Sequence, residues 1–346
     1  MSYTYHAVQI DPSRPRAWDR DWSRFDSIDF QAAAAALEGV LRRTPLLPFD
    51  APDTRIELRL KLENQQETGA FKARGAWNQV SQLTEAERTA GVVATSSGNH
   101  GKALSWAAQR AGVPATIVMP ADAYPNKIEA CREFGANVVL APTRSEAERV
   151  CAGLVAEGAT LIHPYDAERT VQGAGTVGLE IAQDWPEVEV VIFPVGGGGL
   201  SAGSSLALRR ELGERVRLVA VEPAGAATLT RGIEAQVAVT LEEITTEVQG
   251  LCPLNSGHLN IAICGRTLDG TIELDDDSIH AAQRQLVHAG EVVEPAGAAT
   301  FAAVSEGALP EAWFAGRDAS NPLRVCAVVS GGNPAPDQLA ALRGEV

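Results

Sequence analysis

The sequence predicts an α/β protein of two domains, built on open, mostly parallel sheets flanked by helices. Two observations carry this. From residue 92 onward, short apolar runs bounded by glycine or proline alternate with longer helix-forming runs. Three of those apolar runs end in glycine- or serine-rich turns, at residues 96–101, 196–201 and 330–333, and each turn leads into a helix-like stretch. A chain of 346 residues is long enough for two domains or one large α/β unit.

In chain order, residues 1–28 are polar, carry Pro12, Pro15, Trp18 and Trp22, and read as an N-terminal arm. Phe30 to Arg43 is rich in helix formers and stops before Pro45. Ile56 to Leu62 alternates apolar with polar residues, the pattern of a half-buried strand. A turn follows, and Lys72 stands near the opening of a helix. Thr84 and Glu87 fit a capping box for a short helix ending at Gly91. Strands are expected at 92–95, 116–119 and 137–140, with helices at 102–110, after Pro120 through Phe134, and up to about 157. This block, 91–162, reads as a small mobile domain, and 29–90 with 163–346 as the large one. In the latter, helices are expected at 171–184, up to Leu212, at 276–289 and after Pro295, and strands at 190–193, 216–221 and 324–329. Glu222 to Thr228 and Glu294 to Thr300 are the same heptapeptide, EPAGAAT, each placed to start a helix after a strand; two isolated copies are not a repeat architecture.

The balance of 29 Lys+Arg against 44 Asp+Glu, a formal charge of −15, argues against nucleic-acid or anionic-membrane partners. No apolar run approaches the roughly 20 residues of a membrane span, and the N-terminus lacks a signal-peptide pattern. Five scattered cysteines with no CxxC pair read as free thiols in a reducing cytoplasm.

Three turns and one lysine carry the chemistry. A lysine in an apolar site or beside a cation has its pKa lowered from about 10.4 and becomes an amine nucleophile; taken alone Lys72 favours a solvated side chain near a helix start, and the glycine-rich turns downstream overturn that reading. Four glycines, Gly196 to Gly199, between an apolar strand and a helix let the backbone approach a ligand and offer free N–H groups at a helix start, which suits a phosphate. No Gly-Lys-Ser/Thr follows, so the turn is not a P-loop. A variant dinucleotide site is the rival reading, with Glu222 as the ribose-binding acid at the end of the next strand; Ser201 stands where its third glycine or alanine belongs. Ser96 to Gly101 offers hydroxyls, an amide and backbone N–H groups to a carboxylate. Ser330 to Asn333 lies at a strand's C-terminal end, where ligands gather in open α/β sheets.

Together with HPYD at 163–166, QGAGTVGLEI at 172–181 and VEPAGAAT at 293–300, these motifs occur in an order that resembles the fold-type-II pyridoxal-phosphate enzymes, which share a tryptophan synthase β-like fold. Within them the chain is most similar to the threonine dehydratase and serine racemase group, over roughly residues 35–346. The resemblance implies that Lys72 bonds to pyridoxal 5′-phosphate and later moves the Cα proton, with Ser97 a second candidate for proton transfer. It implies that Phe71 packs near the ring, Asn99 bonds the ring hydroxyl, Gly196 to Gly199 and Leu200 hold the phosphate, and Ser330 meets the pyridine nitrogen. Ser96, Ser97, Asn99 and His100 would take the substrate carboxylate. A neutral serine at the ring nitrogen makes a weaker electron sink than an aspartate would, which suits β-elimination.

The chain departs from the family at Ala70, where many relatives have serine. The divalent-ion positions of some racemase-like members fall at Glu222, Ala226 and Thr228, and with Thr228 in place of the usual acid no metal is expected. Residues 247–269 do not follow the family pattern, and no regulatory domain is expected after the catalytic region. His163 is expected to position the backbone near the junction of the two domains. The expected activity is dehydrative deamination of a β-hydroxy amino acid, L-threonine or L-serine first, by a homodimer. Serine racemase, a hydroxyaspartate or phenylserine ammonia-lyase, an NAD-dependent oxidoreductase and a catalytically silent amino-acid-binding relative are the alternatives.

Overall fold

The computed structural model describes residues 2–9 and 23–345. In chain order the elements are β1 (Tyr3–Ala7), α1 (Ser23–Asp26), α2 (Phe30–Leu37), β2 (Leu46–Phe49), β3 (Ile56–Leu62), α3 (Lys72–Val80), α4 (Glu85–Ala90), β4 (Val92–Thr95), α5 (Asn99–Ala111), β5 (Ala115–Pro120), α6 (Pro125–Glu133), β6 (Asn137–Ala141), α7 (Arg144–Ala156), β7 (Thr160–Leu161) and α8 (Glu168–Asp184). There follow β8 (Val190–Pro194), α9 (Gly199–Leu212), β9 (Arg217–Pro223), α10 (Thr228–Ala235), α11 (His258–Thr267), β10 (Gly270–Leu274), α12 (Asp276–His288), α13 (Pro295–Ser305), β11 (Leu323–Val329) and α14 (Pro336–Arg343).

Two sheets result. The larger runs β1-β10-β9-β8-β11-β3-β2, parallel from β10 to β3 with an antiparallel strand at each edge; the smaller, β6-β5-β4-β7, is wholly parallel. β8 is apolar at every position because both faces of the sheet are covered. Val191 and Phe193 pack under α8, α9 and α11, while Val190 and Ile192 face α12 and α13. The smaller sheet is covered likewise, by α5 on one face and α7 on the other.

The sequence reading matches β3 and β4 residue for residue, and the Thr84 capping box is formed with both of its hydrogen bonds. Other boundaries differ for physical reasons. The helix expected over 30–43 ends at Leu37, where Glu38 is extended and Gly39 turns the chain at φ +70. α5 starts at Asn99, three residues before the expected start, because Ser96 Oγ takes the N–H of Gly101 and lets the turn itself become helix. Part of the N-terminal arm is strand: Tyr3–Ala7 pairs antiparallel with β10 at the sheet edge. Trp18 and Trp22 lie outside the described residues. Among the described residues no helix is long and apolar enough to cross a membrane, and all five cysteines are unpaired.

Candidate active site

The strand order decides where chemistry gathers. β8, β11 and β3 are neighbours, so the turns after their C-terminal ends converge at one edge of the sheet. After β8 comes Gly196–Ser201, after β11 comes Ser330–Asn333, and after β3 comes the segment that ends in Lys72. Two of these turns interlock through backbone: Phe71 N–H donates to Ser330 O at 3.0 Å, and Gly332 N–H to Gly69 O at 2.7 Å. Gly69 sits at φ +74, and a Cβ there would meet Asn333 Oδ1 at 2.7 Å, so the turn admits no side chain.

Lys72 opens α3, whose cap residue Phe71 offers no side-chain hydrogen bond. The helix is instead anchored from within. Arg74 is buried and bonds Glu63 at 2.8 Å and Glu180 at 2.7 Å, while Lys61 bonds Glu180 at 2.6 Å. Two cations thus neutralise two carboxylates, the arrangement buried charges require. Lys72 itself has no carboxylate partner among the described residues. Its Nζ donates to Pro164 O at 2.8 Å and lies 4.9 Å from the Phe71 ring centroid. The side chain is partly buried by area and crowded by protein, and burial pushes its ammonium down to about 8.

The glycine turn is a cradle with unmet donors. Among the described residues, no protein acceptor meets the six consecutive N–H groups from Gly196 to Ser201, at the start of α9. Gly198 holds φ +89 to aim them. The Tyr165 ring lies on Gly197, where a Cβ would approach it to 2.2 Å, and Asn260 Nδ2 bonds Gly197 O at 2.7 Å and Tyr165 O at 3.1 Å. Among the described residues, the buried Asn260 Oδ1 has no partner. Residues 163–166 therefore bridge Lys72 to the cradle. The unassigned 247–269 segment forms the next wall: Asp166 accepts the N–H groups of His258 and Leu259 at the start of α11, and Tyr165 OH donates to Asn255 Oδ1 at 3.1 Å.

At the end of β4, Ser96 Oγ accepts from the N–H groups of Gly98 and Gly101, at 3.3 and 3.0 Å. Ser97 is exposed, and its hydroxyl has no protein partner among the described residues. His100 is turned inward: its Nε2 pairs with Ile162 O at 2.9 Å, and burial followed by the Lys72 charge pulls its pKa to about 3. What His100 presents to a ligand is its backbone N–H. Asn99 joins the Lys72 side of the site. Its Oδ1 accepts from Asn333 Nδ2 at 2.9 Å and its Nδ2 donates to Glu294. Ser330 is buried, and among the described residues its hydroxyl makes only a long contact, 3.4 Å, to Ala296 O.

Two residues sequence reasoning passed over emerge here. Glu294 opens α13 beneath Asn99, and burial raises its pKa against the pull of Lys127 and Asn99. Asn333 ties Thr68 O, Asn99 and Lys102 together. The motifs that contain them were visible, but the contacts span more than 190 residues of chain. Glu222, by contrast, faces away from any ribose: fully buried, it accepts the N–H groups of Leu229 and Thr230, both at 2.8 Å. That removes the acid on which the dinucleotide reading depends. Thr228, at the apparent third ion-binding position, pairs its hydroxyl with Ser256 at 2.7 Å.

The arrangement thus joins a desolvated amine, fit to condense with a carbonyl, to a row of N–H donors fit for a phosphate. These are the two ends of pyridoxal phosphate, and the residues present fit that group. The chain matches the family model described as pyridoxal-phosphate dependent enzyme over residues 37–331. It is 36% identical to the L-threonine ammonia-lyase of Thermotoga maritima over 310 residues, covering 88% of this chain and 75% of that protein. Among solved structures it superposes on maize serine racemase with a TM-score of 0.83 and 31% identity, covering 93% of this chain and 97% of that one. A T.th. threonine deaminase gives a TM-score of 0.79 and 34% identity, covering 88% and 97%.

Proposed function

Because the chain belongs to the pyridoxal-phosphate dependent enzymes, we propose that it converts L-threonine or L-serine to 2-oxobutanoate or pyruvate plus ammonium. The observation that carries this is the Lys72 amine, desolvated and without a carboxylate, joined through one short loop to six unmet N–H donors.

The cofactor, when bound, draws electrons from the substrate's Cα and makes its hydrogen acidic. The protein supplies the rest. The N–H groups of Gly196 to Leu200 bind the phosphate, Phe71 packs on the ring, Asn99 meets the ring hydroxyl and Ser330 the ring nitrogen. Ser96, Ser97 and the N–H groups of Asn99 and His100 take the substrate carboxylate at the positive end of α5. Lys72 Nζ removes the Cα proton; with its pKa near 8 a useful fraction is neutral at ordinary pH. The β-hydroxyl then leaves, and water later enters where the amino group departs, so that no net water is consumed.

Residues 91–162 act as a small mobile unit against 29–90 and 163–346, bringing the Ser96–Gly101 turn over the substrate. Five unpaired cysteines support a reducing compartment such as the cytoplasm, and a homodimer, checked by light scattering, completes the reading.

The test is an absorption spectrum. The purified protein is expected to show a visible band that borohydride abolishes and that Lys72→Ala lacks, and to release 2-oxo acid from threonine or serine. Lys72→Ala should lower kcat by about a thousandfold or more. A protein that stays colourless with added pyridoxal phosphate overturns the reading. The likeness to maize serine racemase and the unengaged Ser97 hydroxyl favour a second outcome, formation of D-serine, with Ser97 as the second proton carrier. Chiral chromatography of unreacted serine decides it, since Ser97→Ala would stop that reaction first.

A further inference from the structure

We propose that His163 is a positioning residue for Lys72, acting through the carbonyl of Pro164. The inference rests on the reading of Lys72 given above. His163 Nδ1 accepts two successive backbone N–H groups, from Tyr165 at 3.3 Å and Asp166 at 2.8 Å. Its own carbonyl accepts from Thr170 Oγ1 at 2.9 Å and Gln79 Nε2 at 3.4 Å. Both ends of the following peptide are therefore fixed, and the Pro164 ring fixes φ between them. The direction of the Pro164 carbonyl, onto which Lys72 Nζ donates at 2.8 Å, follows from those constraints. An amine that donates one hydrogen to a fixed acceptor has its lone pair confined to one of two remaining tetrahedral positions, which narrows the path of a proton-moving lysine each time it is free.

The device works only with a bare Nδ1. A proton there removes the lone pair, leaves the Tyr165 and Asp166 N–H groups without an acceptor, and opens the turn. Lys72 from α3, His100 from α5, and Asp166 and Tyr165 from its own loop are the titratable groups that face the ring. Burial holds His163 neutral, Lys72 adds to that, and Asp166 opposes it. The Tyr165 ring stands edge-on at 4.8 Å and closes the remaining side.

The experiment compares His163→Asn and His163→Leu in the cofactor-loaded enzyme. Asparagine places an acceptor oxygen near the Nδ1 position but does not titrate; leucine offers neither. In the wild type, log kcat against pH should steepen from slope one to slope two on the acid side as His163 joins Lys72. His163→Asn should keep kcat at neutral pH within about threefold and hold slope one throughout. His163→Leu should lose about tenfold in kcat at nearly constant KM. It should also move the pH midpoint of the visible cofactor band by about one unit, the size of one directed hydrogen bond. A steepened acid limb in His163→Asn overturns the proposal, as does a folded His163→Leu with wild-type kcat and band midpoint. If His163→Leu fails to fold, the slope in His163→Asn still decides. Loss of the visible band in the wild type sinks the cofactor reading instead, so the two failures are distinguishable.

Discussion

The heptapeptide Glu-Pro-Ala-Gly-Ala-Ala-Thr occurs twice and folds two ways. At 222–228 its first two residues finish β9, the next three form a 3-10 turn, and the last opens α10. At 294–300 its glutamate caps α13, its proline is the first helical residue, and the rest is helix. The difference lies in what precedes and flanks each copy. Glu222 and Pro223 are in register with Glu273 and Leu274 of β10, and this pairing extends the strand. Val293 and Glu294 follow no strand and are held by Gln283 and by the 330–333 turn, so proline starts the helix at once. The two glutamates diverge accordingly. Glu222 binds the helix of its own loop, at 2.8 Å to Leu229 and Thr230, and is structural. Glu294 reaches across to Asn99 and belongs to the site. Local sequence proposes a menu here, and long-range pairing chooses from it.

Substitutions at the two positions sharpen that contrast. Glu294→Ala leaves the Asn99 amide donor unmet, at a cost of about 1–3 kcal/mol if it is paid in the transition state. The expected result is a fall in kcat of about tenfold or more with a melting temperature lowered by only a few degrees; a fall in stability without a fall in kcat would make the two glutamates alike. Glu222→Ala should do the reverse, costing about 2 kcal/mol of stability with kcat/KM nearly unchanged, measured by urea unfolding beside steady-state assays.

A subtler measurement uses pH. Burial raises the Glu222 pKa to about 7 against the pull of Leu229 and Thr230. A carboxyl raised in the folded state holds its proton longer than in the unfolded chain. Its contribution is therefore fully present below the unfolded value and is lost as pH rises toward 7. The wild type should lose up to about 3 kcal/mol relative to Glu222→Gln between roughly pH 4.5 and 7. Parallel stability curves would show that folding does not raise the Glu222 pKa. The smallest effect is the control, far from both copies. Thr84→Ala removes the hydroxyl that accepts the Glu87 N–H in the α4 capping box, leaves the backbone N–H of residue 84 on the Glu87 carboxylate, and should cost about 1 kcal/mol without touching activity or cofactor absorption.

What the sequence revealed, and what it hid, follows the same division between local and distant causes. β3 shows in its alternation, β4 in its apolar run and α4 in its Thr84–Glu87 pair, each signal complete within a few residues. The motifs around Lys72, Gly196 and Ser330 were legible because a special backbone path demands glycine or serine at fixed spacing. β1, β2 and β10 were not read: YTYHA, LLPF and GTIEL are short and become strands through their partners in the sheet. α11 was missed because the side chain that caps it, Asp166, lies more than 90 residues earlier. Glu294 and Asn333 were hidden for the same reason, their site partners lying in a turn of the smaller sheet.

The pairing of β3 with β11 also sets a schedule. Leu58 and Leu60 meet Val325 and Ala327, so the Lys72 turn locks onto the Ser330 turn only after the more than 250 residues between them have been made. At about 5–20 residues per second, a ribosome leaves β3 waiting on the order of tens of seconds for its neighbour. The smaller sheet and the Gly196 turn emerge in the interval, and the centre of the larger sheet is sealed last. A nascent chain stopped just short of β11 would therefore carry the lysine and the cradle yet lack the strand that sets them side by side, which delays competence for cofactor capture until β11 has been made.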